Sequence, residues 1–386
     1  MTLKANWSYP TTVWAGPGRI AELPAACAQL RIARPLLVTD QGLRDAPMVR
    51  RARELVPAAG LFADVRGNPV SANIAAGLAA YRAGAHDGVI ALGGGSALDV
   101  GKVIAFMSGQ SRPLWDFEDV GDWWTRADPR GIAPTVAVPT TAGTGSEVGR
   151  AGVVINEATR QKKIVFHPRM MPAVVISDPE LTVDLPPAIT AATGMDAFVH
   201  CFEAFCAPGF HPLADGVALE GMRLIQEYLP RAYADGRDIE ARSRMLAAAS
   251  MGAMAFQKGL GGVHAIAHPV GAHFNTHHGL TNAVLLPYLM VHNRPAIEDR
   301  LPIVARTLNL TGEPFAAVYR WVLSFRERLG IPQSLAQLGV PPGDADTIGR
   351  EAALDPSAAG NPRPTDASAY ARIFRCAVSG DLGLAG

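Results

Sequence analysis

Three consecutive glycines, Gly93–Gly94–Gly95, join the apolar run Ile90–Ala91–Leu92 to a helical stretch that begins Ser96–Ala97–Leu98. The order reads as a β-strand passing through a tight turn into a helix, with Ser96 near the N-cap. Glycines let the backbone approach an anion closely, while the free N–H groups and the positive end of the helix dipole favour negative charge. The segment is not a P-loop, which would need Gly where Ser96 stands and Ser or Thr where Val103 stands. It also departs from GxGxxG, because Leu98 occupies the last glycine position. A plain strand-to-helix turn accounts for one or two glycines; three in a row point to a phosphate-bearing ligand.

The flanking sequence supports this reading. Short β-branched runs at Pro35–Thr39, Gly88–Leu92, Thr135–Val138 and Ala173–Ile176 alternate with helical stretches, one of which runs from Asn73 to Ala85. Such alternation predicts βαβ units and a parallel, Rossmann-like sheet. After Asp178–Pro179 the strand signal fades into long alanine-rich helical sequence. The expected organisation is an α/β dinucleotide-binding domain over residues 1–182 followed by an all-α domain over residues 183–386. No fixed-period repeat or low-complexity tract is present.

Thirty-five Lys and Arg balance thirty-five Asp and Glu. No global basic field therefore favours nucleic acid or an anionic membrane, and a small-molecule partner is expected. Four cysteines without paired spacing, and an N-terminus with no apolar export segment, place the expectation in the reduced cytoplasm. Val38–Thr39–Asp40 ends the first strong strand, where a carboxylate can accept from a ribose 2′-OH and repel a 2′-phosphate, favouring NAD over NADP. Asp40 reads equally well as a cap for the turn that follows. Pro139–Glu147 forms a second small, hydroxyl-rich loop that lines a cofactor or simply turns.

The residues between Lys258 and Arg294 include no Lys, Arg, Asp or Glu, yet hold six of the ten histidines. Interspersed Gly, Asn and Pro make this segment unfit for lipid and mark it as a buried functional region. Upstream, Asp196 and His200 stand at i and i+4 on one helix face; His264 and His268 repeat the spacing, and His278 follows ten residues later. Taken singly, such a pair is more often an ordinary core or surface pair. Together, one carboxylate and several imidazoles suit a divalent metal of the iron, zinc or cobalt type.

At these residues the chain resembles the iron-containing (group III) alcohol dehydrogenase family. The resemblance is carried by Gly93–Ser96 with Asp99 and Lys102, Pro139–Val148, Gly194–Ala197 with His200, Gly259–Gly261 with His264, His268–Pro269 and Gly271, His278–Gly279, and Asn361–Pro362–Arg363. It implies a dehydroquinate synthase-like architecture with the active site in the cleft between the two domains. It also implies metal ligands Asp196, His200, His264 and His278 for Fe2+ or alternatively Zn2+, and NAD as cofactor. Cofactor positions fall on Asp40, Asn68, Gly94, Gly95, Ser96, Asp99, Thr140, Thr141, Thr144 and Lys162. His268 falls beside the reacting centre, either relaying the alcohol proton outward or orienting His264. Homodimers or larger homo-oligomers are common in the family, and Trp7, Tyr9 and Trp14 could support a strand shared between subunits or pack within one.

Two departures bear on specificity. His277 stands where many members have Pro, so either His277 or His278 could be the last ligand, and Gly279 favours His278. The segment Phe256–Gly261 is a residue shorter than in simple alcohol reductases and looks more like the 4-hydroxybutyrate dehydrogenase branch. The activity implied is hydride transfer between NAD(H) and a small primary alcohol or aldehyde. Arg150 and Lys258, with Phe256 beside them in the motifs, could receive the carboxylate of a short ω-hydroxy acid or its semialdehyde. The alternatives are an uncharged alcohol of the lactaldehyde or 1,3-propanediol type, and a non-catalytic metal- or nucleotide-binding regulator.

Overall fold

The computed structural model describes residues 11–383; Trp7 and Tyr9 lie outside them. The described chain divides into two compact units, one of residues 11–141 and 145–184, the other of residues 142–144 and 185–383.

The first unit is built on a six-stranded sheet of order β1-β8-β5-β4-β2-β3, parallel throughout. Its strands are β1 (Thr12–Ala15), β2 (Pro35–Asp40), β3 (Gly60–Val65), β4 (Gly88–Gly93), β5 (Thr135–Pro139) and β8 (Val174–Ser177). The central strands β4 and β5 are buried along their whole length, as continuous apolar runs covered on both faces must be. Helices α1 (Leu23–Gln29), α2 (Pro47–Leu55), α3 (Ser71–Ala83) and α4 (Gly95–Met107) occupy the crossovers. Two further strands, β6 (Ala151–Asn156) and β7 (Gln161–Phe166), form an antiparallel hairpin of their own. Neither that hairpin nor β3 is evident in the strand runs of the sequence. Trp14 pairs in register with Ile176 and packs on the core of its own sheet.

The strand order has a functional consequence. From β2 the chain moves outward to β3, and from β4 it moves the other way to β5, so the direction reverses between neighbours β2 and β4. Ligands of open α/β sheets bind outside the carboxyl ends of the strands at such a reversal. Asp40 ends β2 and Gly93 ends β4, which puts both beside that crevice.

The second unit is helical. It comprises α5 (Pro187–Cys206), α6 (Pro212–Ala234), α7 (Ile239–Ala255), α8 (Gly262–Phe274), α9 (His278–Ile297), α10 (Leu301–Thr307), α11 (Pro314–Arg328), α12 (Ala345–Leu354) and α13 (Ala367–Ser379). Every residue of α5 from Thr190 to Cys206 is buried. A helix enclosed on all sides carries its polar residues inward, and each then needs a partner or a ligand. The histidine-rich segment breaks at Asn275, whose left-handed backbone (φ 52°) ends α8 before α9 begins at His278. Among the described residues no helix is long and apolar enough to cross a membrane. All four cysteines are buried free thiols.

Candidate metal centre and cofactor turn

Helices α5, α8 and the first residue of α9 bring Asp196, His200, His264 and His278 together. One donor atom from each lies within 4.8 Å of all the others. Asp196 Oδ1 is 4.0 Å from His200 Nε2 and 3.7 Å from His278 Nε2. The His200 and His264 rings stack at 4.8 Å, and His264 and His278 lie 5.3 Å apart. Burial lowers the pKa of His200 to about 4, against the opposing pull of Asp196. Its imidazole is therefore neutral at physiological pH, with a lone pair to offer. Three imidazoles and one carboxylate converging on a small buried volume are a donor set that fits a divalent transition ion.

His278, and not its neighbour His277, lies in the cluster. His277 is exposed and caps α9, its Nδ1 accepting from Leu280 N at 3.4 Å. Gly279 follows because a Cβ there would lie 2.4 Å from the Ala192 carbonyl oxygen of α5. This close approach of two backbones sets His278 against Asp196.

Three residues that the sequence motifs did not single out complete the surroundings. Asn282, fully buried on α9, donates from Nδ2 to Asp196 Oδ1 at 2.7 Å and lies 3.1 Å from both His264 Nε2 and His278 Nε2. Glu203 of α5 accepts from His264 Nδ1 at 2.6 Å. Asp355 accepts from His268 Nδ1 at 2.8 Å. Burial alone would raise the Asp355 carboxyl, but His268 and the Ser357 N–H reverse that and hold it below the ordinary range. The Nδ1 partner of His264 is Glu203, and the His268 ring stands edge-on to His264 with centroids 5.9 Å apart. Its ring stacks on His278 at 5.6 Å with an interplanar angle of 12°.

Phe256 packs on His200 with ring centroids 5.2 Å apart and forms an apolar wall. Lys258 corrects the expectation of a substrate cation. Its side chain is 2% exposed, and its ammonium donates to Asp215 Oδ1 at 2.7 Å and to the Phe205 carbonyl at 3.2 Å. Asp215 is shared with Arg300 at 2.9 Å. The pair holds the short turn that carries Phe256. Arg150 belongs to the α/β unit, where its guanidinium lies over the Phe166 ring at 5.6 Å and offsets the burial that raises the Asp119 carboxyl.

In the α/β unit the glycine turn takes the expected form with one change. The N-cap of α4 is Gly94, which supplies no side-chain cap. Ser96 lies inside the first turn, and its hydroxyl donates to the Gly67 carbonyl at 2.6 Å. The α4 amino end is therefore left to bind an anion through the backbone. Gly93 has φ +146°, and a Cβ there would lie 2.7 Å from Ala97 Cβ and 3.3 Å from Asp40 Oδ2. Asp40 Oδ1 accepts from Leu43 N at 3.0 Å, so one oxygen caps the turn as the alternative reading had it. Burial raises its pKa against these backbone bonds.

Thr140 N bonds the Gly93 carbonyl at 3.0 Å, and a Cβ on Gly94 would lie 3.3 Å from Thr141 Cγ2, so this loop seats on the turn. Lys162 pairs with Ile155 across the hairpin, and Ile155 N bonds the Pro69 carbonyl at 2.8 Å, which brings Asn68–Pro69 and Lys162 to one place. Asp99 is occupied by protein. It accepts from Ser146 Oγ at 2.5 Å and Val153 N at 2.9 Å and sits 3.2 Å from Lys102 Nζ, tying α4 to the hairpin. Thr144 belongs to the helical unit.

Comparison with known proteins shows the family. The model of the iron-containing alcohol dehydrogenases matches residues 10–179, and the C-terminal model of the Fe-containing alcohol dehydrogenase family matches residues 190–378. A 4-hydroxybutyrate dehydrogenase of Cupriavidus necator is 37% identical over 378 residues, 95% of this chain and 98% of that protein. The crystal structure of a 1,3-propanediol oxidoreductase is similar with a TM-score of 0.91 at 34% identity, over 96% of this chain and 99% of its own. A sulfoacetaldehyde reductase from Bifidobacterium kashiwanohense in complex with NAD+ gives 0.88 at 28% identity, over 98% and 100%. Matches that run through both units and nearly the full length of each relative mean that this chain belongs to the iron-containing alcohol dehydrogenase family.

Proposed function

We propose that the protein interconverts a short ω-hydroxy acid, such as 4-hydroxybutyrate, and its semialdehyde, with Asp196, His200, His264 and His278 holding Fe2+ or Zn2+. The observation that carries the reading is the convergence of those four donors in one buried cluster. When bound, the ion polarises the substrate oxygen as a Lewis acid, and NAD(H) accepts or supplies the hydride.

The chain's own residues bind, orient and exclude water. The backbone N–H groups of Gly95 and Ser96 hold the cofactor's pyrophosphate, and Asp40 accepts from the adenosine ribose. Thr140, Thr141 and Thr144 line the cofactor, while Asn68 and Lys162 meet its adenosine side. Phe256 keeps water from one flank of His200. His268, its Nδ1 fixed by Asp355, takes the alcohol proton at Nε2 during oxidation and returns it during reduction.

With Lys258 committed to Asp215, Arg150 is the remaining candidate for the substrate carboxylate. The 4-hydroxybutyrate dehydrogenase relative supports an acid substrate. A second reading, an uncharged primary alcohol, is favoured by the loss of Lys258 as a cation and by the apolar Phe256. NADH oxidation by Arg150→Ala distinguishes the two. The acid reading expects kcat/KM to fall for succinic semialdehyde and to hold for butanal; equal effects on both would refute it.

A further inference from the structure

Glu203 lies among the buried charges of the helical unit, 6% exposed. Its carboxylate accepts three hydrogens. Oε1 takes the Val263 N–H at 2.7 Å; Oε2 takes the Gly261 N–H at 3.0 Å and faces His264 Nδ1 at 2.6 Å. No side chain next to α8 caps its amino end. The first turn is instead capped from afar, by Glu203 and by Asn361, whose Oδ1 accepts from Gly262 N at 3.0 Å. A Cβ on Gly261 would come within 2.8 Å of Glu203 Oε1, and one on Gly262 within 3.2 Å of Asn361 Oδ1. These contacts explain the glycine pair that opens the helix.

The donors fix the chemistry of the third contact. Backbone N–H groups can only donate, so both Glu203 oxygens act as acceptors. A hydrogen on His264 Nδ1 directed at Oε2 leaves the Nε2 lone pair facing the cluster. Asn282 Nδ2, which can only donate, lies 3.1 Å from that same Nε2 and matches the same tautomer.

We infer that Glu203 is the positioning residue of the metal centre: its carboxylate sets the tautomer and orientation of His264 and strengthens Nε2 as a donor. The inference rests on the metal-binding reading above. Asn361 supplies the control, because it caps the same helical turn without touching His264. The test is competition for Zn(II) between the metal-free chain and a colorimetric chelator. The variants are Glu203→Gln, Asn361→Ala, His264→Ala and the Glu203→Gln/His264→Ala double variant, with thermal unfolding run beside each.

Glu203→Gln, which keeps the shape and loses the charge, is expected to bind Zn(II) about 10–100-fold more weakly. Asn361→Ala should lower the unfolding temperature yet hold affinity within about twofold, and Glu203→Gln should add no more than about twofold in the His264→Ala background. Should Glu203→Gln fail to accumulate, Glu203→Asp, which withdraws the carboxylate by one methylene, carries the same expectation. Wild-type affinity in Glu203→Gln would overturn the inference alone. So would an equal loss in Asn361→Ala, or an undiminished effect of Glu203→Gln without His264. A wild-type chain that binds no Zn(II) or Fe(II) would overturn the metal reading and this inference together.

Discussion

Gly279→Ala is a one-methyl perturbation at the point where α9 meets α5. The added Cβ would lie 2.4 Å from the Ala192 carbonyl oxygen, 2.9 Å from its carbon and 3.2 Å from Asp196 Cβ. Those first two atoms are backbone in the buried stretch of α5 and cannot swing aside. Clearing even 3.0 Å forces the helices apart by at least 0.6 Å at this point. His278 is the adjacent residue, and its Nε2 stands 3.7 Å from Asp196 Oδ1. Sites of this kind tolerate displacements of about 0.5 Å, and a 1 Å error costs roughly 100-fold.

Gly279→Ala should therefore weaken Zn(II) binding by about 10–100-fold. Overpacking should also cost about 1–3 kcal/mol of stability. Chelator competition and urea unfolding read the two effects separately. Gly216→Ala is the matched control: it lies exposed on α6 with nothing within 4 Å of a Cβ. That change should stabilise by about 0.5–1 kcal/mol and leave metal affinity alone. Wild-type affinity and stability in Gly279→Ala would refute the claim that this backbone contact sets the His278–Asp196 geometry.

Asp355→Asn should lower kcat about tenfold or more while metal content holds, since it changes the Nδ1 partner of His268 and keeps an oxygen to accept from Ser357 N; an unchanged kcat would count against the proton role. Asp215→Asn leaves Lys258 and Arg300 without their shared counter-charge and should cost about 3 kcal/mol in urea unfolding. Arg223, in an exposed pair with Glu220 and Glu227, should cost no more than about 1 kcal/mol when replaced by Ala. His292, whose pKa burial lowers to about 4, predicts an acid-sensitive limb. Between the unfolded value near 6.5 and about 4, the unfolded chain holds the extra proton, so stability falls as pH falls across that window. His292→Gln should flatten that limb, by up to about 1.4 kcal/mol per pH unit; a limb of unaltered slope would assign the sensitivity to other groups.

What the sequence discloses follows from range. The glycine turn, the parallel sheet, the helical second half and the Asp196–His200 and His264–His268 spacings are local patterns, with periods set by one strand or one helix. Gly279 beside His278 signals a close approach without showing that the partner is Ala192. Glu203, Asn282 and Asp355 are illegible because their meaning lies in partners far along the chain: Glu203 meets His264 across 61 residues and Asp355 meets His268 across 87. Lys258 misleads for the same reason, since the charge that engages it stands 43 residues away. Ser96 looks like a cap from its place after the glycines, yet its hydroxyl prefers the Gly67 carbonyl on another loop. The β6–β7 hairpin is obscured by half-exposed Gln161–Lys162–Lys163, which lacks the apolar run of a central strand.

The most direct test of the central claim is metal content and NADH-coupled aldehyde reduction measured on the same anaerobically purified samples, wild type beside His264→Ala. About one iron or zinc per chain in the wild type, with metal and rate lost together in the variant, is the predicted result. A wild-type chain that reduces aldehydes without metal, or a His264→Ala chain that retains both metal and rate, would contradict the account.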